Sequence, residues 1–141
     1  MNVLDVNVLV ALHRPQHQHH DVARQWWQET SDRGEQLTVP DLIWVGFTRV
    51  VTHRRIFSAP STPEQAWGFV EAMRTQGSYV HYSGHPRLMD AFGRYLHDAG
   101  AAADLVTDAY IAAAATTLGA TLVTFDRDFR RFDDLSVLEL T

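Results

Sequence analysis

Four aspartates are the residues with the clearest chemical potential, because each lies where an apolar run meets a helix signal. Asp5 follows the short apolar run 2–4, and Asp126 follows the run 120–125. Short β-branched apolar runs are typical of buried strands in a parallel sheet. Ligands bind at the carboxyl edge of such sheets. We therefore expect Asp5 and Asp126 to share a cleft at that edge.

The other two aspartates lie in the first turns of predicted helices. Asp41 follows a proline suited to a first helical position, and Asp108 follows Thr107, the expected cap of an alanine-rich helix. Either could simply complement a helix dipole, at a few tenths to about 1 kcal/mol. Asp5 and Asp126 could likewise be helix caps. Four acids in one cleft, however, would repel one another and require a counter-cation such as Mg²⁺ or Mn²⁺.

The composition excludes several other chemistries. There is no cysteine, which excludes disulfides, thiolate zinc sites and cysteine nucleophiles. All 12 basic residues are arginine, which excludes lysine-dependent phosphoryl transfer and a P-loop. With 17 acidic residues the net charge is −5, which is unusual for a nucleic-acid-binding protein unless divalent cations reverse the local charge.

The order of predicted elements indicates one α/β domain over residues 1–141. Strands are predicted near 2–4, 37–39, 79–82 and 120–125, and helices near 6–12, 18–30, 40–51, 64–74, 86–98 and 107–119. This alternation predicts a three-layer α/β/α fold with a short parallel sheet of about four to five strands flanked by helices. No segment resembles a secretory signal or a membrane span, so we expect a soluble cytoplasmic protein.

Three motifs resemble those of the PIN-domain ribonucleases, in particular the VapC toxins of toxin–antitoxin pairs. They are Asp5-Val6-Asn7-Val8-Leu9, Asp108-Ala109-Tyr110-Ile111-Ala112-Ala113 and Thr124-Phe125-Asp126-Arg127-Asp128-Phe129. The resemblance covers nearly the whole chain, so it implies a PIN-like fold. It also implies Mg²⁺-dependent cleavage of phosphodiester bonds in RNA, such as tRNA or rRNA, with Mn²⁺ as a substitute. The implied partners are a cognate VapB-type antitoxin and a second copy of the chain.

The same resemblance implies roles for the aspartates. Asp5, Asp108 and Asp126 would bind the metal directly or through water. Most of the family carries a glutamate in the third helix, about where Gly46 stands here. A subgroup places this acid several residues earlier, so Asp41 is the expected second acid, holding a second metal or orienting the attacking water.

Several other polar residues are candidates for supporting roles. Asp128 is either an outer metal ligand or the cap of the short helix around Phe129. Asp104 is interpreted as a solvated loop residue. Asn7 and Thr124 are expected to position the carboxylates. Because arginine forks suit phosphates, the candidates for RNA contact, or else solvated surface charges, are Arg14, Arg49, Arg54 and Arg55.

The histidines and tryptophans favour structural interpretations. The run from His17 to His20 resembles a zinc site, but no further histidine is placed to complete a tetrahedron. We expect His20 to begin the second helix instead. The four tryptophans are expected in the core or at a subunit interface, with base stacking as the alternative: Trp26, Trp27, Trp44 and Trp67.

Two other functional hypotheses remain open. Gly46, in place of the family glutamate, motivates a PIN-like module with a degraded catalytic site that binds another protein. A DNA nuclease of the flap-endonuclease type is the other possibility, but the chain is too short for the additional helices with which such enzymes grip a duplex.

Overall fold

The fold is built on a parallel sheet of four strands, and a computed structural model describes all residues 1–141. The strands are β1 (Asn2–Leu4), β2 (Leu37–Thr38), β3 (Thr121–Thr124) and β4 (Ser136–Glu139), in the spatial order β2-β1-β3-β4. The register pairs Leu4 with Val123. The carboxyl ends of β1 and β3 therefore lie side by side, and the residues after them share one edge of the sheet.

Helices connect and flank the strands. They are α1 (Val6–His13), α2 (His20–Asp32), α3 (Asp41–Val51), α4 (Pro63–Arg74), α5 (Leu88–Asp98) and α6 (Leu105–Thr117), with a 3-10 helix at Arg127–Arg131. A parallel sheet flanked by helices confirms the α/β fold class expected from the alternation of elements. None of these helices has the length and apolar character needed to cross a membrane.

The alanines of α6 hold that helix against the sheet. Ala109, Ala112 and Ala113 are fully buried and belong to the same hydrophobic cluster as Leu122 and Val123 of β3. Small side chains allow a helix axis to approach a sheet closely, and alanine also has the highest helix propensity. The position of Asp108, in the first turn of α6, is therefore fixed by a well-packed helix.

The sheet differs from the predicted one at both edges. The predicted strand 79–82 is wrong, because Tyr79 forms only an isolated parallel bridge with Leu37. β2 has just two residues, so it offers little backbone for a further strand. The other edge is β4, which the sequence did not reveal because its residues alternate between exposed and half-buried and include Ser136 and Glu139.

The expected cap of α6 is also wrong, and the tryptophans differ in their burial. Thr107 does not cap α6, since that helix already begins at Leu105 and places Thr107 inside its first turn. Asp104 precedes the helix and makes no side-chain capping bond. Trp26 and Trp44 are buried in the core as expected, whereas Trp67 is 54% exposed and so lies outside it. A subunit interface stays the prediction for Trp67.

Tyr95 joins three parts of the fold through its hydroxyl. The side chain is buried, its hydroxyl pairs with Thr116 Oγ1 at 2.8 Å, and it donates to Asp133 O at 2.7 Å. Tyr95→Phe is expected to lower the free energy of unfolding by about 1–2 kcal/mol, because buried partners lose a hydrogen bond. Urea denaturation measures this. Tyr82→Phe is the matched control, since the buried Tyr82 hydroxyl has no partner to lose; equal losses in both variants would contradict the assignment.

Candidate functional site

Asp5 is held at the carboxyl edge of the sheet by two hydrogen bonds. Its Oδ1 accepts from Val6 N at 2.7 Å, which caps α1, and its Oδ2 accepts from Thr124 Oγ1 at 2.7 Å. The residue is only 7% exposed. Burial raises the pKa of Asp5 above its ordinary value, although both hydrogen bonds oppose the shift. Asp5 is therefore a helix cap and also a buried carboxylate on the ligand-binding edge.

Thr124, the last residue of β3, is the centre of the hydrogen bonding at this edge. Besides donating to Asp5, its Oγ1 accepts from Asp126 N at 3.0 Å and from Asn7 Nδ2 at 3.2 Å. The Asn7 Oδ1 in turn accepts from Phe125 N at 3.2 Å. Asn7 and Thr124 therefore contact the carboxylates or their backbone, in the positions that a role in orienting them requires.

Asp126 follows β3 and caps the 3-10 helix. Its Oδ1 accepts from Asp128 N at 2.8 Å. The expectation that Asp128 caps this helix is therefore wrong. Asp128 lies in the first turn, exposed, with its carboxylate 3.8 Å from the guanidinium of Arg131.

Asp108 shares its electrostatic environment with the other acids. Burial is the largest cause of a shift that raises its pKa from 3.8 to about 6, followed by the negative charges of Asp5, Asp126 and Asp128. Arg131 offsets part of the shift. Residues from the ends of β1 and β3, the start of α6 and the 3-10 helix thus converge into one acidic cleft, defined here as Asp5, Asp108, Asp126 and Asp128.

Asp41 lies on the flank of this cleft. It begins α3 and is exposed, and its charge acts on Tyr82. Burial, followed by Tyr110 and then Asp41, raises the pKa of Tyr82 to about 12. A helix turns about 100° per residue, so residues 41 and 46 project roughly 140° apart. Asp41 therefore does not take the direction in which a side chain at Gly46 would point.

Gly46 marks a close approach between two helices. A Cβ added there would lie 3.3 Å from Val6 Cγ2, so any larger residue would require Val6 to move. Val6 directly follows Asp5 in the chain. Position 46 therefore carries no acid, and α3 at this point packs closely against the residue that follows Asp5.

The four candidate arginines lie in different parts of the structure. Arg49 is on α3, one turn after Gly46. Arg14 is at the opposite end of α1 from Asp5, roughly 13 Å along the helix, where it donates to Ala59 O at 2.9 Å. Arg54 and Arg55 follow the last turn of α3. Contact with RNA stays a prediction for all four arginines.

The histidines of the α1–α2 loop are structural. His20 begins α2 as expected, and its ring hydrogen-bonds to Ala11 O at 2.8 Å. His17 Nδ1 accepts from His19 N at 3.0 Å. The His19 ring stacks on Phe125 with the centroids 4.5 Å apart, a contact that no sequence signal indicated. No three histidine or acidic side chains anywhere in the chain are placed to hold a metal ion together, which removes the zinc interpretation and leaves any cation to be bound by fewer carboxylates with water.

The acidic cleft nevertheless fits a magnesium-type cation. Mg²⁺ prefers oxygen ligands and keeps several waters, so one or two carboxylates are enough to bind it. The raised pKa of Asp108 reports repulsion from its acidic neighbours in addition to burial. A divalent cation would relieve that repulsion. This is the counter-cation that the pattern of four aspartates in the sequence requires.

Comparison with known proteins assigns the family. The model of the PIN domain matches residues 3–135. Ribonuclease VapC25 of Mycobacterium tuberculosis is 39% identical over 94% of this chain and 93% of its own length. Among solved structures, Rickettsia felis VapBC2 bound to a promoter DNA fragment superposes with a TM-score of 0.74 at 17% identity, covering 99% and 98% of the two chains. M. tuberculosis VapC20, described as a sarcin–ricin loop cleaving toxin, superposes with a TM-score of 0.67 at 16% identity, covering 92% of this chain and 93% of its own. The chain therefore belongs to the PIN-domain family, and its curated relatives within that family are VapC ribonucleases.

Proposed function

We propose that this chain is a metal-dependent endoribonuclease and the toxin of a toxin–antitoxin pair. The observation that carries the proposal is the acidic cleft, in which aspartates from separate segments converge at the carboxyl edge of the sheet. The curated relatives, which are named as ribonucleases at 39% identity, support the reaction. The cation would be Mg²⁺, with Mn²⁺ as a substitute.

In this proposal Asp5, Asp108 and Asp126 hold the cation, directly or through water, and Asp128 acts as an outer ligand. A cation held by these residues would supply Lewis-acid stabilisation of the phosphate and a lower pKa for the attacking water. Thr124 keeps Asp5 in orientation through its 2.7 Å hydrogen bond. Asn7 fixes Thr124 and the backbone of Phe125, which sets the direction in which Asp126 leaves the strand.

Asp41 would act from the flank of the cleft by orienting water or holding a second cation. Asp41 is exposed and is not among the charges that raise the pKa of Asp108, so we expect its contribution to be weaker. Asp41→Asn is therefore expected to lower kcat by about tenfold or less and to leave the affinity for Mn²⁺ nearly unchanged. Single-turnover cleavage and isothermal titration measure the two quantities. A loss as large as that of Asp5→Ala would make Asp41 a full member of the metal site.

The proposed substrate is a structured RNA such as tRNA or rRNA. Sequence-specific RNA recognition mostly targets loops and bulges with unstacked bases, and the VapC20 relative is described as cleaving the sarcin–ricin loop. We propose a cognate VapB-type antitoxin as the inhibitor and a homodimer as the assembly, acting in the cytoplasm where these RNAs are found.

Purified antitoxin-free protein tests the function directly. It would be incubated with total cellular RNA in Mg²⁺ or Mn²⁺, beside an EDTA control and Asp5→Ala, and the 5′ ends of the products would be sequenced. Discrete cuts that disappear in EDTA and in the variant are the expected result. Cuts that persist in both controls would indicate a contaminating nuclease and overturn the assignment.

A protein-binding module with a degraded site is the second candidate, and the glycine at position 46 favours it. Isothermal titration separates the two functions without any assay of activity. Binding of Mn²⁺ at millimolar concentration or below supports the nuclease, whereas no binding to wild type supports the module.

A further inference from the structure

A recess beside the acidic cleft has no role in the mechanism proposed above. It has a volume of about 230 Å³ and opens along α3, between that helix and the first turns of α1 and α6. Val6 and Thr107 are among its lining residues. Val6 directly follows Asp5, and Thr107 directly precedes Asp108. The recess therefore adjoins the backbone segments that carry the two aspartates.

The walls of the recess are mainly apolar, and its depth depends on a glycine. Gly46 and Ile111 line it together with Leu42, which is 44% exposed. A side chain at Gly46 would start 3.3 Å from Val6 Cγ2 and fill the space between α1 and α3. Val45, at the rim, is 65% exposed. Exposed aliphatic side chains around an apolar recess indicate a site for a ligand with an apolar face.

One cation lies at the edge of this recess. Arg49 lines it, and its guanidinium makes no hydrogen bond or ion pair with any other residue of the chain. Residues at spacings of three and four share a helix face, so Arg49 lies on the same side of α3 as Gly46 and Leu42. A free guanidinium beside an apolar recess matches the two parts of a nucleotide, a phosphate and a base.

We propose that the recess binds one unstacked base of the RNA substrate, with Arg49 pairing with the adjacent phosphate. This inference rests on the proposed function, because it takes the scissile phosphodiester to lie at Asp5 and Asp108. An RNA ligand is favoured over a protein ligand because the recess adjoins the acids and carries the Arg49 guanidinium, which is free to bind a phosphate. The recess is then a specificity-determining subsite, since its shape selects the base next to the cut.

Binding without cleavage tests the subsite. The probe is a short fluorescent single-stranded RNA of randomised sequence, titrated by anisotropy in Ca²⁺ at several salt concentrations, with RNA integrity checked on gels. Arg49→Gln is expected to weaken binding about fivefold and to reduce the salt slope by about 0.7, the value for one phosphate contact on a single strand. Arg74→Gln is the matched control, because Arg74 is exposed at the far end of α4.

Filling the recess tests the base-binding part separately. Gly46→Leu is expected to weaken binding by about tenfold with an unchanged salt slope, because an apolar contact releases no counterions. Gly68→Leu is the control, since a side chain at this helical glycine meets open space. Leu42→Ser changes an exposed wall residue and keeps the test valid if Gly46→Leu misfolds; it is expected to weaken binding severalfold.

The outcomes separate this inference from the function on which it rests. If Arg49→Gln and Leu42→Ser both bound RNA as tightly as wild type, the proposed subsite would be wrong, while the proposed nuclease activity would be unaffected. No RNA binding and no cleavage by wild type would overturn both. A change of mass in sedimentation velocity for Leu42→Ser, with RNA affinity unchanged, would assign the recess to a protein contact and also overturn the proposal.

Discussion

Replacing Asp108 with asparagine is expected to stabilise the metal-free protein and to eliminate its RNA cleavage. In the folded chain, burial and three neighbouring carboxylates raise the pKa of Asp108 from 3.8 to about 6. One pKa unit corresponds to about 1.4 kcal/mol, but Asp108 is only half-buried and solvent screens its charge. We therefore expect Asp108→Asn to gain on the order of 1 kcal/mol in unfolding free energy near neutral pH.

The dependence on pH follows from the direction of this shift. A carboxyl whose pKa is higher in the folded than in the unfolded state binds protons on folding, so its ionisation destabilises the fold. The cost is absent below about pH 4, grows between about 4 and 6, and is complete above that range. The stability difference between Asp108→Asn and wild type should grow over the same interval. Urea denaturation at a series of pH values in EDTA measures it.

Although Asp108→Asn should raise stability, it should lower both RNA cleavage and metal binding. Loss of residues that merely orient metal ligands costs 10–100-fold, so loss of a direct ligand is expected to cost at least about 100-fold in cleavage rate. A ligand that binds only the folded state raises the melting temperature. Mn²⁺ should therefore stabilise wild type and have little effect on Asp108→Asn.

Asp21→Asn provides a matched control for this experiment. Asp21 also lies in the first turn of a helix, α2, but it is exposed and outside the acidic cleft. The substitution removes a favourable helix-dipole interaction and should cost a few tenths of a kcal/mol. If Asp108→Asn were destabilised to the same extent, the carboxylate of Asp108 would be an ordinary first-turn acid, and the acidic cleft would have no functional meaning.

The sequence was sufficient to predict where the acids lie but not how they face. Asp5 and Asp126 each follow an apolar run, and parallel strands present their carboxyl ends at one edge, so a shared cleft followed from pattern alone. Their actual proximity also requires β1 and β3 to be neighbours in the sheet, which only the strand order reveals. Asp41 shows the limit, because its direction depends on where α3 begins and how that helix rotates.

Local patterns also failed where tertiary pairing decides the structure. The run that begins at Tyr79 is rich in aromatic residues and has strong strand propensity. β2 has only two residues, however, and Tyr79 is the one residue of the run that forms a bridge with it. β4 has a weak pattern and still forms, because β3 offers it four residues of backbone partners. The position of Thr124 between Asp5 and Asp126 likewise depends on the register between β1 and β3, and no spacing in the sequence encodes that register.

Thr124→Val is expected to impair both the fold and the metal site. Valine has a similar shape but no hydroxyl, so Asp5 Oδ2 loses its donor, and Asn7 Nδ2 and Asp126 N lose their acceptor. Thr124 is fully buried, so water does not replace these partners. We expect the free energy of unfolding to fall by about 2–4 kcal/mol. Metal affinity and cleavage should each fall about 10–100-fold.

The pH dependence of metal binding separates the functional loss from the structural one. The Thr124 hydrogen bond lowers the pKa of Asp5 and so opposes the effect of burial. Without it, Asp5 binds a proton more tightly, and a protonated carboxyl is a poor metal ligand. The deficit of Thr124→Val in Mn²⁺ affinity should therefore be largest at low pH and shrink as pH rises. A merely destabilised but folded variant would show no such trend.

Thr124→Ser identifies which atom of the side chain matters. Serine keeps the hydroxyl and loses one methyl group, so the three hydrogen bonds survive while a small cavity forms in the core. Metal affinity and cleavage should return to within a few-fold of wild type, although stability stays about 1 kcal/mol lower. If serine behaved like valine, the hydroxyl alone would not be sufficient, and the packing of the methyl group would also be needed to hold Asp5. Recovery with serine alone would instead make the hydroxyl at the end of β3 the element that orients Asp5 and links it to Asp126.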